Sequence, residues 1–162
     1  MRARSASDLI AQHEGCRLKP YTDTLGVVTI GYGRNLERGI TRDEAEILMR
    51  NDLRTVRTAA AKYDWFEALS DVRQAVVLDM QYQLGVAGFR KFKRTRAAIA
   101  AHAWATAAEE MLNSRWHEQT PTRAKRLAKM MREDRWPDVY PSLRRRACGP
   151  NFTSGLSAPD PS

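Results

Sequence analysis

One stretch of this chain resists a helical reading. From Tyr21 to Gly33, β-branched residues alternate with glycine, and Asp23-Thr24-Leu25-Gly26 has the composition of a tight turn. Two short extended pieces are therefore expected, the second from Val27 to Ile30, and extended structure is confined to this small hairpin. The rest patterns as helix. A first helix is predicted from about Ser7 to Glu14, with Ser7 as its cap and Gly15 as its stop. Thr41-Arg42-Asp43-Glu44 is a capping box, and Ala45, Leu48, Met49, Asp52, Leu53 and Val56 follow at helical spacing, giving one long helix toward Lys62.

Further helices are expected over Asp71 to Leu84, ending at Gly85, then over Thr95 to Ala101, over Trp104 to Leu112, and from Thr120-Pro121 onward. The fold class is α+β: a small β-hairpin lobe joined by a long helix to a helical bundle lobe. The expected layout is one domain over 1–146, with a small lobe at about 15–55 and a helical lobe at about 56–146 that also takes the N-terminal helix. After Arg144-Arg145-Arg146 the glycines, prolines and serines have few apolar anchors, so 147–162 is expected to be a flexible tail.

A chain of 162 residues buries about two thirds of its unfolded surface without a metal or disulfide. With 43% hydrophobic and 28% charged residues it has the composition of an ordinary globular protein. The net charge of +8 and the isoelectric point near 9.9 point to an acidic partner: nucleic acid, an anionic membrane or a bacterial envelope. The residues after Met1 supply no apolar run for a secretory signal or a membrane span, so synthesis as a cytosolic protein without stable membrane insertion is expected. Cys16 and Cys148 lack neighbouring ligand pairs, and two free thiols are expected rather than a bridge.

Glu14 falls in the last turn of the first helix, where the macrodipole disfavours an ionised carboxylate, an environment suited to a general acid. Its plain reading is a solvated surface glutamate. Asp23 stands in the hairpin turn, where it either presents a second carboxylate or simply bonds its own backbone. Thr29, on the returning strand, could hold a water near that carboxylate or owe its place to β-propensity alone. Glycosidic hydrolysis needs one carboxyl that donates a proton and one carboxylate on the opposite face of the sugar, and this pair supplies both chemical types.

The run from His13-Glu14-Gly15 through Asp23-Thr24-Leu25-Gly26 to Thr29-Ile30-Gly31-Tyr32-Gly33 resembles the active-site segment of the T-even phage lysozyme family. The resemblance recurs at Ile40-Thr41-Arg42-Asp43-Glu44-Ala45-Glu46, at Gln83-Leu84-Gly85-Val86-Ala87-Gly88-Phe89 and from Ser114-Arg115-Trp116 to Lys125-Arg126. It implies two lobes with a cleft and a muramidase that hydrolyses the β-1,4 bond between N-acetylmuramic acid and N-acetylglucosamine in peptidoglycan, with inversion, for host lysis. It also implies Glu14 as general acid, Asp23 acting on the attacking water or the cationic transition state, and Thr29 positioning the water. Arg123 matches an arginine that pairs with the catalytic glutamate, and Tyr82 and Gln83 match positions facing the sugar chain, although both suit a helical bundle equally well. A monomer needing no cofactor, released to the wall by a holin-type route, completes the expectation.

Two departures from the family pattern stand out. Arg34 replaces the histidine that follows the Gly-x-Gly, and Asp52 occupies the place of that histidine's acidic partner, so a permanent Arg34 to Asp52 ion pair is expected. Only Arg34 to Gly39 separate Gly33 from Ile40, so the small lobe lacks the family's longer excursion. The rival readings are of other classes. Basic residues over Arg90 to Arg96 and Arg123 to Arg132 suit a nucleic-acid-binding face, though such runs are usually solvated, and no nucleic-acid partner is expected. A catalytically inactive wall-binding module is opposed by the intact Glu14, Asp23 and Thr29.

Overall fold

Ser5, rather than Ser7, caps the opening helix. In the computed structural model, which describes residues 5–137, helix α1 runs Ala6–Glu14 and the Ser5 hydroxyl oxygen accepts the Asp8 backbone N–H at 3.1 Å. Ser7 stands two residues further in, already inside the first turn of the helix, and its hydroxyl lies 2.8 Å from that of Ser5. The helix ends at Gly15 with φ 66, a conformation that glycine adopts without a side-chain clash.

Three antiparallel strands follow, β1 (Arg17–Thr22), β2 (Val28–Gly31) and β3 (Arg34–Asn35), in the order β1-β2-β3. Tyr21 faces Thr29 and Thr22 faces Val28, while Asn35 faces Thr29 from the other side and Arg34 faces Ile30. The expected hairpin is thus extended by a third strand. Two residues are too few to leave a periodic signature, and β3 forms because the turn at Gly33 folds the chain back along β2.

Helix α2 covers Arg42–Ala60, slightly short of the expected end. Its start is the capping box read from the sequence: the Glu44 N–H reaches the Thr41 hydroxyl at 3.3 Å and the Thr41 N–H reaches Glu44 Oε2 at 2.7 Å. The described residues divide into two compact units, with the boundary between Asp52 and Leu53 inside α2 and α1 counted with the first unit. In the first unit Thr29 is the sole buried position among the described residues, and Leu18, Tyr32, Ile47 and Leu48 are exposed. Polar and backbone contacts therefore carry much of its local order.

The second unit holds the hydrophobic core. Helix α3 (Asp71–Arg90) is broken at Gly85, φ 71, so the expected stop is a kink after which the helix resumes. Helices α4 (Lys93–Ala100), α5 (Trp104–Leu112), α6 (Arg115–Gln119) and α7 (Pro121–Glu133) complete it. The short α6, which no periodicity announces, is capped by Ser114, whose hydroxyl accepts the His117 N–H. Phe66, Met80, Phe89, Ile99, Met111 and Met131 are fully buried, each side chain contributing about 1.5–3 kcal/mol by leaving water. Arg73 ties α3 to the end of α7, donating to the Met131 carbonyl at 3.0 Å and to Asp134 Oδ2 at 2.8 Å while stacking on Trp104.

Among the described residues no helix is long and apolar enough to cross a membrane. The expected tail over 147–162 lies outside the described residues, as does Cys148, while Cys16 is exposed and free.

Candidate active site

Glu14 is the last residue of α1, and its side chain reaches the turn between β2 and β3. A β-carbon built on Gly33 would stand 3.0 Å from Glu14 Oε2 and 3.5 Å from its Cδ, so the carboxyl group lies directly against the Gly33 backbone. Gly33 has φ 74, and Gly31, two residues earlier, has φ 65. Both the bend and the close approach require a residue without a side chain. Gly33 thus makes a seat for the glutamate, while Gly31 has no side chain against it.

Asp23 is half-buried at the hairpin turn. Its Oδ1 accepts the backbone N–H groups of Leu25 at 2.8 Å and Val27 at 2.9 Å, and its own N–H reaches the Val27 carbonyl at 2.9 Å. One carboxylate oxygen is thus spent on the turn, as the plain Asx reading foresaw. The other, Oδ2, accepts no hydrogen bond among the described residues. The aspartate is oriented by its backbone with one oxygen left over.

Thr29 is 4% exposed, and its hydroxyl donates to the Val27 carbonyl at 3.1 Å. Tyr21 faces Thr29 and Thr22 faces Val28, so the next step of the register sets Asp23 against Val27. Side chains alternate along a strand, which puts Asp23, Tyr21, Val27 and Thr29 on one face of the sheet. Because its proton is given to Val27, the threonine oxygen keeps its lone pairs as acceptors.

Arg34 departs from its expected partner. Its Nη2 donates to Glu44 Oε2 at 3.1 Å and to the Gly39 carbonyl at 3.2 Å, so Glu44 replaces Asp52 as the acidic partner. The capping box holds the Glu44 carboxylate at the first turn of α2, whereas Asp52 lies eight residues further along, about 12 Å down the axis. The Thr41 backbone N–H and hydroxyl, ahead of the Arg34 guanidinium, hold the Glu44 carboxyl below its ordinary value of 4.5. Arg34, Glu44, Gly33, Tyr32 and Arg17 border a cavity of about 630 Å³ in this unit.

In the second unit Tyr82 is 42% exposed, so it is not a core residue of the bundle. Gln83 is half-buried, and its Oε1 accepts the Trp116 indole N–H at 2.9 Å, giving it a structural duty the sequence did not announce. Arg123 donates to Asp79 Oδ1 at 2.7 Å, an acidic partner from α3 that sequence reasoning did not name. A cavity of about 650 Å³ in this unit is bordered by Lys91, Phe92, Arg94, Arg115 and Trp116. Lys91, Phe92 and Arg94 lie in the basic run and Arg115 and Trp116 in a block of family resemblance, and the sequence does not join them because positions about twenty apart share no local pattern. Among the described residues no group of three or more His, Cys, Asp or Glu is placed to hold a metal.

The phage lysozyme family model matches residues 11–135, a span that includes Glu14, Asp23, Thr29 and Arg123. Two Dictyostelium discoideum proteins named Probable T4-type lysozyme 1 and Probable T4-type lysozyme 2 are 30% and 26% identical to this chain over 154 residues; each alignment covers 76% of this chain and 91% of the relative. The pre-baseplate central spike protein Gp5 of Enterobacteria phage T4 is 28% identical over 153 residues, 76% of this chain but 27% of that protein. With a seven-helix, three-stranded α+β architecture among its described residues and a family match running through nearly all of them, this chain belongs to the phage lysozyme family and is a glycoside hydrolase of lysozyme type.

Proposed function

We propose that this protein is a muramidase that hydrolyses the β-1,4 bond between N-acetylmuramic acid and N-acetylglucosamine of bacterial peptidoglycan. Glu14 is its general acid, giving its proton to the leaving glycosidic oxygen. Asp23 is the general base: its Oδ2 accepts one proton of a water while Thr29 Oγ1 accepts a hydrogen bond from the other. The water oxygen then attacks the anomeric carbon from the face opposite the leaving group, and the configuration inverts. At the end of one turnover Asp23 carries the proton that Glu14 has lost.

The observation that carries this reading is the difference between the two carboxyl groups of the first unit. Glu14 rests on Gly33 at the exposed end of a helix, whereas Asp23 is pinned through Oδ1 by two backbone N–H groups and keeps Oδ2 for a water. Tyr82 and Gln83 are proposed to contact the glycan, Tyr82 through its exposed ring and Gln83 through the amide NH₂ that its bond to Trp116 leaves over. The basic surface is proposed to concentrate the protein at the acidic wall of a host bacterium during lysis, as a monomer released by a holin-type route.

The deciding experiment measures reducing ends released from purified peptidoglycan by the wild type and by Glu14→Gln, with the anomeric configuration of the first product read by NMR. Folded Glu14→Gln is expected to release none, and the initial product is expected to be the α-anomer. Substantial release by Glu14→Gln moves the acid role elsewhere, and an initial β-anomer replaces inversion by a covalent route.

A further inference from the structure

We propose that Glu44 is a positioning residue for Glu14, acting through Arg34 and the Gly33 backbone against which the Glu14 carboxyl lies. The inference rests on the glycosidase reading in taking Glu14 as the acid, but its structural argument is independent of it.

Three observations lead to it. First, the seat of Glu14 is the β2–β3 turn, and Arg34 is the residue directly after that seat. Second, little apolar packing holds the turn in place. Thr29 is the one buried position of the unit among the described residues, and a cavity of about 630 Å³ lies beside Gly31, Tyr32 and Gly33. A turn beside an open depression, with no buried apolar side chain under it, depends on its other contacts for its position. Third, an anchor is present. Glu44 Oε2 accepts from Arg34 Nη2 at 3.1 Å, from the Thr41 N–H at 2.7 Å and from the Thr41 hydroxyl at 3.0 Å, while Arg34 also donates to the Gly39 carbonyl. A single carboxylate oxygen thereby joins β3, the 36–41 connection and the first turn of α2.

An exposed ion pair of this kind contributes little to global stability. Its effect is on placement: it sets where Gly33 stands, and hence where the Glu14 carboxyl is held relative to a sugar. Arginine suits the task because it stays charged across the working pH range and its Nη2 donates to Glu44 and Gly39 together.

The experiment compares Glu44→Gln, Arg34→Gln, the double variant and Glu46→Gln, the last removing a charge of the same sign on the same helix. Initial rates on soluble wall fragments give kcat and KM, and ¹³C NMR follows the Glu14 carboxyl resonance. Glu44→Gln and Arg34→Gln are each expected to lower kcat about tenfold, the scale of a sub-ångström misplacement, with KM within about twofold. The double variant is expected to be no worse than either single one, since both break one link. The Glu14 resonance is expected to move in all three and to stay in place in Glu46→Gln.

A kcat for Glu44→Gln equal to that of Glu46→Gln, a double loss equal to the product of the single losses, or an unmoved Glu14 resonance overturns the proposal. If Glu44→Gln unfolds, Arg34→Gln decides, because it leaves the Thr41 to Glu44 cap intact. If the wild type itself releases no reducing ends, the glycosidase reading falls, and the resonance still decides whether Glu44 places Glu14.

Discussion

The carboxyl of Glu14 lies against Gly33 so closely that a β-carbon there would come within 3.0 Å of Oε2. Gly33→Ala therefore meets two obstacles, a left-handed backbone at φ 74 and a collision with the glutamate. The backbone strain is expected to lower stability by about 1–2 kcal/mol. The displaced carboxyl is expected to lower the rate of reducing-end release by about 10²-fold, because small misplacements of a reacting group carry large penalties. Thermal unfolding and initial rates check the two effects separately, and a variant of normal activity removes Gly33 as the seat.

Asp23 has a structural duty in the turn and a proposed chemical one, and two substitutions separate them. Asp23→Asn keeps an oxygen to accept the Leu25 and Val27 N–H groups, so the turn survives, but it removes the proposed base. It is expected to fold with a near-normal melting temperature and to lose about 10²–10⁴ in kcat. Asp23→Ala loses both bonds as well and is expected to be less stable by about 1–2 kcal/mol. Circular dichroism melts beside rate measurements distinguish them, and equal stability of the two variants contradicts the turn argument.

Gln83 holds the indole of Trp116, a side chain only 4% exposed, through a single bond of 2.9 Å. Gln83→Leu strands that N–H and is expected to lower stability by about 1–3 kcal/mol. Gln83→Glu retains an acceptor and is expected to lose less. Tryptophan fluorescence during denaturant unfolding reports both, and a fully stable Gln83→Leu frees Gln83 from its structural duty.

Glu44 carries a pH dependence of stability. Its carboxyl titrates below 4.5 in the folded chain, chiefly through its bonds from Thr41, so the folded state favours the ionised form. That contribution is fully present above the unfolded value and is lost as pH falls through the folded one. The difference in melting temperature between the wild type and Glu44→Gln is therefore expected to be constant near neutrality and to shrink on acidification below 4.5. A difference that grows on acidification reverses the sign and refutes the linkage.

Features built from neighbouring residues were legible in the sequence. The Asp23-Thr24-Leu25-Gly26 turn, the Thr41 to Glu44 capping box and the Pro121 helix start all rest on backbone chemistry within four or five residues, and the structure bears out each, whereas the stop expected at Gly85 is a kink inside one helix. The cap of α1 was local too, yet Ser5 and Ser7 have the same chemistry and only two positions separate them. The candidate acid and base were also placed on the right elements, one at a helix end and one in a turn. Short elements escaped, because β3 has two residues and α6 five, fewer than either period needs to show.

The residues alone thus determined the family and the α+β class and singled out the candidate acid and base, since residue type and local spacing are properties of the chain itself. Folding decided the partners: Glu44 for Arg34 where Asp52 was expected, Trp116 for Gln83, Asp79 for Arg123, and Gly33 as the seat of Glu14. Such pairings depend on which surfaces meet in space, and a charge or an amide carries no mark of which of several suitable groups it will find.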